Sequence, residues 1–74
     1  MNEVRRKVAK WVHGRHLAVL VKVERVESQD DPWSAYLEPS EIYKLEAAQR
    51  AADASDIAEA ARFGRVFRLT ELTA

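Results

Sequence analysis

His13 and His16, in the run HGRH, are the first residues to test for chemistry, because imidazole is the commonest metal-binding side chain. A zinc site takes three or four ligands. The chain has no cysteine, so carboxylates would have to complete the set, and the nearest in sequence are Glu3 and Glu24. Gly14 lies between the histidines and opposes regular helical spacing. The pair reads as a turn with exposed rings, and no metal or cofactor is expected.

Nucleophilic catalysis needs a serine or cysteine beside a base and an orienting group. Each serine (Ser28, Ser34, Ser40 and Ser55) has a local explanation as a turn or cap residue. With two glycines in the whole chain there is no phosphate-cradling loop, and no G-x-S-x-G elbow is present. Acids such as Asp56 and Glu59 stand where helix N-termini favour negative charge. No catalytic residue is assigned, and the chain is expected not to be an enzyme.

Two stretches carry recognition chemistry instead. Arg5, Arg6, Lys7 and Lys10, with Trp11 following, could contact phosphates. On a helix Arg6 and Lys10 would be one turn apart, with Lys7 beside them. No helix-turn-helix, zinc-finger or RNA-binding sheet signature accompanies them. The second stretch is DDPWSAYLEPSE, residues 30–41. Trp33, Tyr36 and Leu37 fall at i, i+3, i+4, so one turn would gather them on one side. They could anchor a partner, with Asp30 and Asp31 favouring a basic one. Alternatively they cover the open end of a strand, and then Trp33→Ala should lower the melting temperature. The sequence favours this covering role, and keeps the five residues as the partner-binding candidates.

The elements that must position these groups follow from periodicity. Residues 2–13 place Val4, Val8, Trp11 and Val12 on a helical stripe, with Asn2 as cap and Gly14 as stop. The same residues also alternate, as Val4, Arg6, Val8, Lys10, Val12, so a strand turning at His13-Gly14 is the rival reading. Two charges on one strand face favour the helix. Residues 16–27 are a half-buried strand, with Leu17, Val19, Val21 and Val23 on one face. Ala18 and Leu20 make its start apolar on both faces. Helix follows from Pro39 or Ser40, with Ile42, Leu45, Ala48 and Ala52 as its stripe. A second helix is capped by Ser55 and buries Ile57, Ala60, Ala61 and Phe63. Residues 65–72 form a strand that pairs with 16–27. The expected fold is α+β: a two- or three-stranded antiparallel sheet packed by a C-terminal helix pair. The order is α-β-α-α-β, or β-β-α-α-β if the first segment is a strand.

At 74 residues this is one domain, residues 1–74, whose small core makes a partner chain or a second copy attractive. A sheet continued across a homodimer is one such solution. The net charge of zero hides a split: residues 1–25 sum to +5, residues 26–61 to −7 and residues 62–74 to +2. The longest wholly apolar run, Leu17 to Val21, is far short of the ~20 residues of a membrane span. No signal-like segment opens the chain, so a cytoplasmic location is expected. The favoured function is a small, non-catalytic, bacterial-type protein-binding regulator, antitoxin-like or inhibitor-like. The alternatives are a nucleic-acid-binding regulator using the basic N-terminal segment, and a small metal-binding or enzymatic domain.

Overall fold

Residues 3–13 form a strand, not the favoured helix. In the computed structural model, which describes residues 3–73, strand β1 runs Glu3–His13 and strand β2 Leu17–Ser28. They pair antiparallel along their whole length, from Glu3↔Ser28 to His13↔Ala18. Pairing decides between the two periods. It sets Val8 and Val12 opposite Val23 and Val19 on one face, and this non-local match outweighs local helix preference. The expected cap, Asn2, lies outside the described residues. Both charges that argued against a strand are accommodated. Lys10 is exposed, and Arg6, directly opposite Arg25, is answered by the Glu27 carboxylate bonded to both guanidinium groups.

A 3-10 turn over Pro32–Ser34 leads to the two-residue strand β3, Tyr36–Leu37. Helix α1 spans Pro39–Asp53 and helix α2 Ile57–Ala60; strand β4, Gly64–Arg68, closes the chain's regular structure. The architecture is α+β, with an antiparallel four-stranded sheet and two helices. β2 is its central strand. One edge of β2 takes β1; the other takes β4 near its start and β3 near its end. The last strand pairs with β2 as expected but stops at Arg68, leaving Leu72 92% exposed.

Pro39 rather than Ser40 begins α1, where its fixed φ and missing N–H are tolerated. The helix ends in a Schellman pair of bonds, Asp56 N–H to Ala51 C=O and Ser55 N–H to Ala52 C=O, with Ser55 at φ 54°. Ser55 is thus the left-handed stop of α1. Asp56 caps α2, its carboxylate accepting the Glu59 N–H at 3.1 Å.

The core is valine against alanine. Val12, Val19, Val21 and Val23 of the sheet meet Ala48, Ala51 and Ala52 of α1 and Ala60 of α2. Leu45, Leu37, Phe63 and Val66 close its margins. Ile42, Ile57 and Ala61, all expected on buried faces, are exposed instead. Small side chains bring α1 close to the sheet, and Gly14 measures how close. A Cβ there would lie 2.3 Å from the Ala52 carbonyl oxygen. The hairpin itself turns through Arg15 and His16, with Gly14 N–H bonded to Leu17 C=O at 2.8 Å. The glycine is required for packing.

The other end of α1 closes a gap in β2. Between Val21, the last residue paired to β4, and Arg25, the first paired to β3, the edge lacks a partner strand. Glu41 accepts the Glu24 N–H at 2.6 Å, and Lys44 Nζ donates to the Lys22 carbonyl at 3.2 Å. The Glu24 N–H, aided by Lys44, holds the Glu41 carboxyl below the usual glutamate range.

Two outcomes follow. Gly14→Ala should destabilise the fold by about 1–3 kcal/mol, read as a lower urea midpoint, because hairpin and helix must separate. Glu41→Ala should cost roughly 1 kcal/mol at neutral pH. A lowered carboxyl pKa contributes stability above the ordinary glutamate range and loses it as pH falls through the lowered value. The difference in melting temperature between wild type and Glu41→Ala should therefore shrink toward acid. A gap that stays constant with pH would refute the assigned role of the carboxylate.

Candidate functional site

Strand alternation sorts the basic N-terminal residues onto two faces. Arg6 and Lys10 lie on the helix-covered side; Arg5 and Lys7 lie on the other. The helical cluster of Arg6, Lys7 and Lys10 does not form. Arg5 is also engaged. Its guanidinium bonds Glu24 at 2.9 Å and Glu38 at 2.8 Å, which raises its already high pKa. Arg6 is held by Glu27 at 2.7 Å. Burial alone would raise the Glu27 pKa, but hydrogen bonds from Arg25 and Arg6 outweigh it and the net shift is downward. The charge split along the sequence is thus partly answered within the chain. Lys7 and Lys10 form no ion pair among the described residues.

The DDPWSAYLEPSE stretch is separated too. Leu37 packs against the core, and Tyr36 is half-exposed beside Val26. Trp33 is 95% exposed and covers nothing, so the expected covering role fails at its main residue. Leu20 and Ala18 lie at the other end of β2 from the turn that carries Trp33. That turn is locally ordered: Asp31 Oδ1 accepts the Trp33 N–H at 3.2 Å, and the Asp31 carbonyl accepts the Ser34 hydroxyl at 2.8 Å. Asp30 and Asp31 are exposed beside it.

The sheet face away from the helices is the feature that sequence reasoning missed. Register places His13, Ala18 and Phe67 in one row, then Trp11, Leu20 and Arg65, then Ala9 and Lys22. Trp11 and Phe67 meet across this face with ring centroids 5.2 Å apart, tilted by 59°, and His13 stands 6.1 Å from Trp11. Arg65 lies over Phe67 at 5.2 Å. Trp11 is still 52% exposed, and Leu20 and Phe67 are half-buried. A shallow groove of about 400 Å³ continues past Leu20 and Lys22 to Phe63, Gly64 and Arg65. No acid lies in these three rows, whereas Lys22 and Arg65 do. The available signal was β2 being apolar on both faces at Ala18 and Leu20; locating their cover required the β1 and β4 registers.

His16 sits in the hairpin turn, where its carbonyl accepts the Leu69 N–H at 2.8 Å. Among the described residues no three of His, Asp and Glu converge as a metal site would require. Nor, among the described residues, is any helix long and apolar enough to cross a membrane. Comparison with protein-family models, curated proteins and solved structures found no match.

Since Trp33 packs on nothing, Trp33→Ala should change unfolding free energy by less than about 0.5 kcal/mol. Thermal melts followed by far-UV circular dichroism check this. A loss of several degrees would return the residue to a structural role.

Proposed function

We propose that this chain is a non-catalytic, protein-binding regulator that holds an acidic partner against the open sheet face, as an inhibitor or antitoxin holds its target. One observation carries the reading: the open sheet face brings Trp11 and Phe67 together, ring centroids 5.2 Å apart, with Trp11 still 52% exposed. The open face holds residue types that dominate interface energetics, Trp11 and Arg65, around an apolar patch of Leu20 and Phe67. Lys22 and Arg65 select an acidic surface.

A second reading uses the same face. Aromatic rings flanked by cations on an open sheet can stack and neutralise single-stranded nucleic acid. Lys7, Lys22 and Arg65 with Trp11 and Phe67 would serve it. The net charge of zero argues against it.

Charge reversal separates the possibilities without touching the core. Lys22→Glu/Arg65→Glu should keep the wild-type melting temperature, as both residues are exposed. The double variant should lose a partner that wild type retains in pull-down from native lysate, while Trp33→Ala keeps it. If Trp33→Ala loses the partner and the double variant keeps it, the acidic turn is the site. Binding of a single-stranded oligonucleotide that falls steeply with salt, with no protein partner, would establish the second reading instead.

A further inference from the structure

β1 is a long edge strand with an open outer side. Its inner side pairs residue for residue with β2, and among the described residues no strand pairs its outer side. Backbone alternation fixes which groups point out. The Lys22 carbonyl and Glu24 N–H face away from β1, since they reach α1 at the opposite edge. Odd-numbered residues of β2 therefore bond to β1, through its even-numbered residues. Arg5, Lys7, Ala9 and Trp11 then turn their N–H and C=O groups outward. His13 supplies a check on this phase: its carbonyl, next in the series, accepts Gln49 Nε2 at 2.7 Å.

Protected edges are short, bulged, interrupted by proline or covered. β1 has 11 residues, an unbroken register and no proline. Its charges are the remaining defence, and Arg5 and Arg6 are already tied into ion pairs of their own chain. We infer that a second copy of this chain pairs along this edge, antiparallel, about a two-fold axis at Ala9. The register follows from charge. Outward groups must meet outward groups, so a two-fold axis passes through one residue of the strand. An axis at Arg6, Lys7, Val8 or Lys10 sets a lysine or arginine directly opposite another. Of the registers that pair more than half of β1, only the Ala9 axis avoids this. It sets Ala9 against Ala9, and Lys7 against Trp11 of the second copy on the open face. A lysine there can lie on the indole, which favours the pairing. Arg6 meets Val12 and Lys10 meets Val8 on the other face.

The test uses the full chain, which has no cysteine. In this register the two Ala9 Cα atoms stand about 5.5 Å apart, within disulfide reach. Ala9→Cys should oxidise rapidly to a covalent dimer, whereas Glu3→Cys, exposed on the same edge but far from the axis, should not. By sedimentation the wild type should be a dimer at sub-millimolar concentration. Ala9→Pro should be a folded monomer, because the lost N–H faces solvent in the single chain. A monomeric wild type, a dimeric Ala9→Pro, or equal oxidation of the two cysteine variants would each overturn the inference. Should Ala9→Pro fail to fold, the cysteine pair still decides.

Discussion

The approach of one alanine-rich helix to a valine sheet sets almost everything else in this molecule. Ala48, Ala51 and Ala52 bring α1 down onto Val12, Val19, Val21 and Val23, near enough that Gly14 has no room for a Cβ against Ala52. Slim side chains at the contact exclude bulky ones from it. None of the six aromatics is fully buried among the described residues: Phe63 and Phe67 are half-buried, and both tryptophans and both tyrosines are exposed. A core of valine and alanine also buries little area per residue, so the stability it supplies is modest. The radius of gyration, 14.7 Å against about 11 Å for a compact domain of this length, records an elongated outline of 49 × 26 × 14 Å in which the β1–β2 hairpin is the longest feature.

The helix is oriented by its two ends. At the C-terminal end the Ala52 carbonyl rests on the hairpin at Gly14, and Gln49 reaches the His13 carbonyl. At the N-terminal end Glu41 and Lys44 fill the place of a missing strand, satisfying backbone groups of Glu24 and Lys22. A backbone group left unpaired there would cost as much as a lost hydrogen bond. So the break between β4 and β3 is compatible with a continuous β2 only because α1 crosses it. Arg5 extends the same junction by joining Glu24 of β2 to Glu38, the residue before Pro39. Exposed ion pairs of this kind add little energy, but they remove two arginines from the free charge of β1.

Much of this fold was legible because its signals are local. The valine alternation of β2, the alanine helix from Pro39, the interruption at Ala54–Asp56 and the final strand all follow from period and turn chemistry. β1 was not, since Val4, Val8 and Val12 satisfy both periods, Trp11 fits their helical stripe alone, and only the β2 register chooses between the two. Ile42 and Ile57 misled because a stripe of large residues looks like a core face, whereas the contact here selects small ones. The candidate site fared worse for a related reason. Trp33 drew attention by its dense neighbourhood in sequence, yet it packs on nothing. Trp11 and Phe67 lie more than fifty residues apart in sequence and meet only through two strand registers on β2.

Those registers give the sheet two unlike free surfaces. Its open face concentrates Trp11, Phe67 and Leu20 beside Lys22 and Arg65, the groups that the proposed acidic partner would meet. Its open edge offers backbone groups with no sign of charge, and its side chains admit a self-complementary register. The same alternation that removed Arg5 and Arg6 into internal pairs left Lys7 on the face and beside the edge at once. A strand joined at Ala9 would therefore enlarge the cationic, aromatic face instead of hiding it. Self-association and partner binding would then meet on one sheet: the first uses the backbone in its plane and sets Lys7 beside Trp11 of the second copy, and the second uses the side chains above it, Trp11 included.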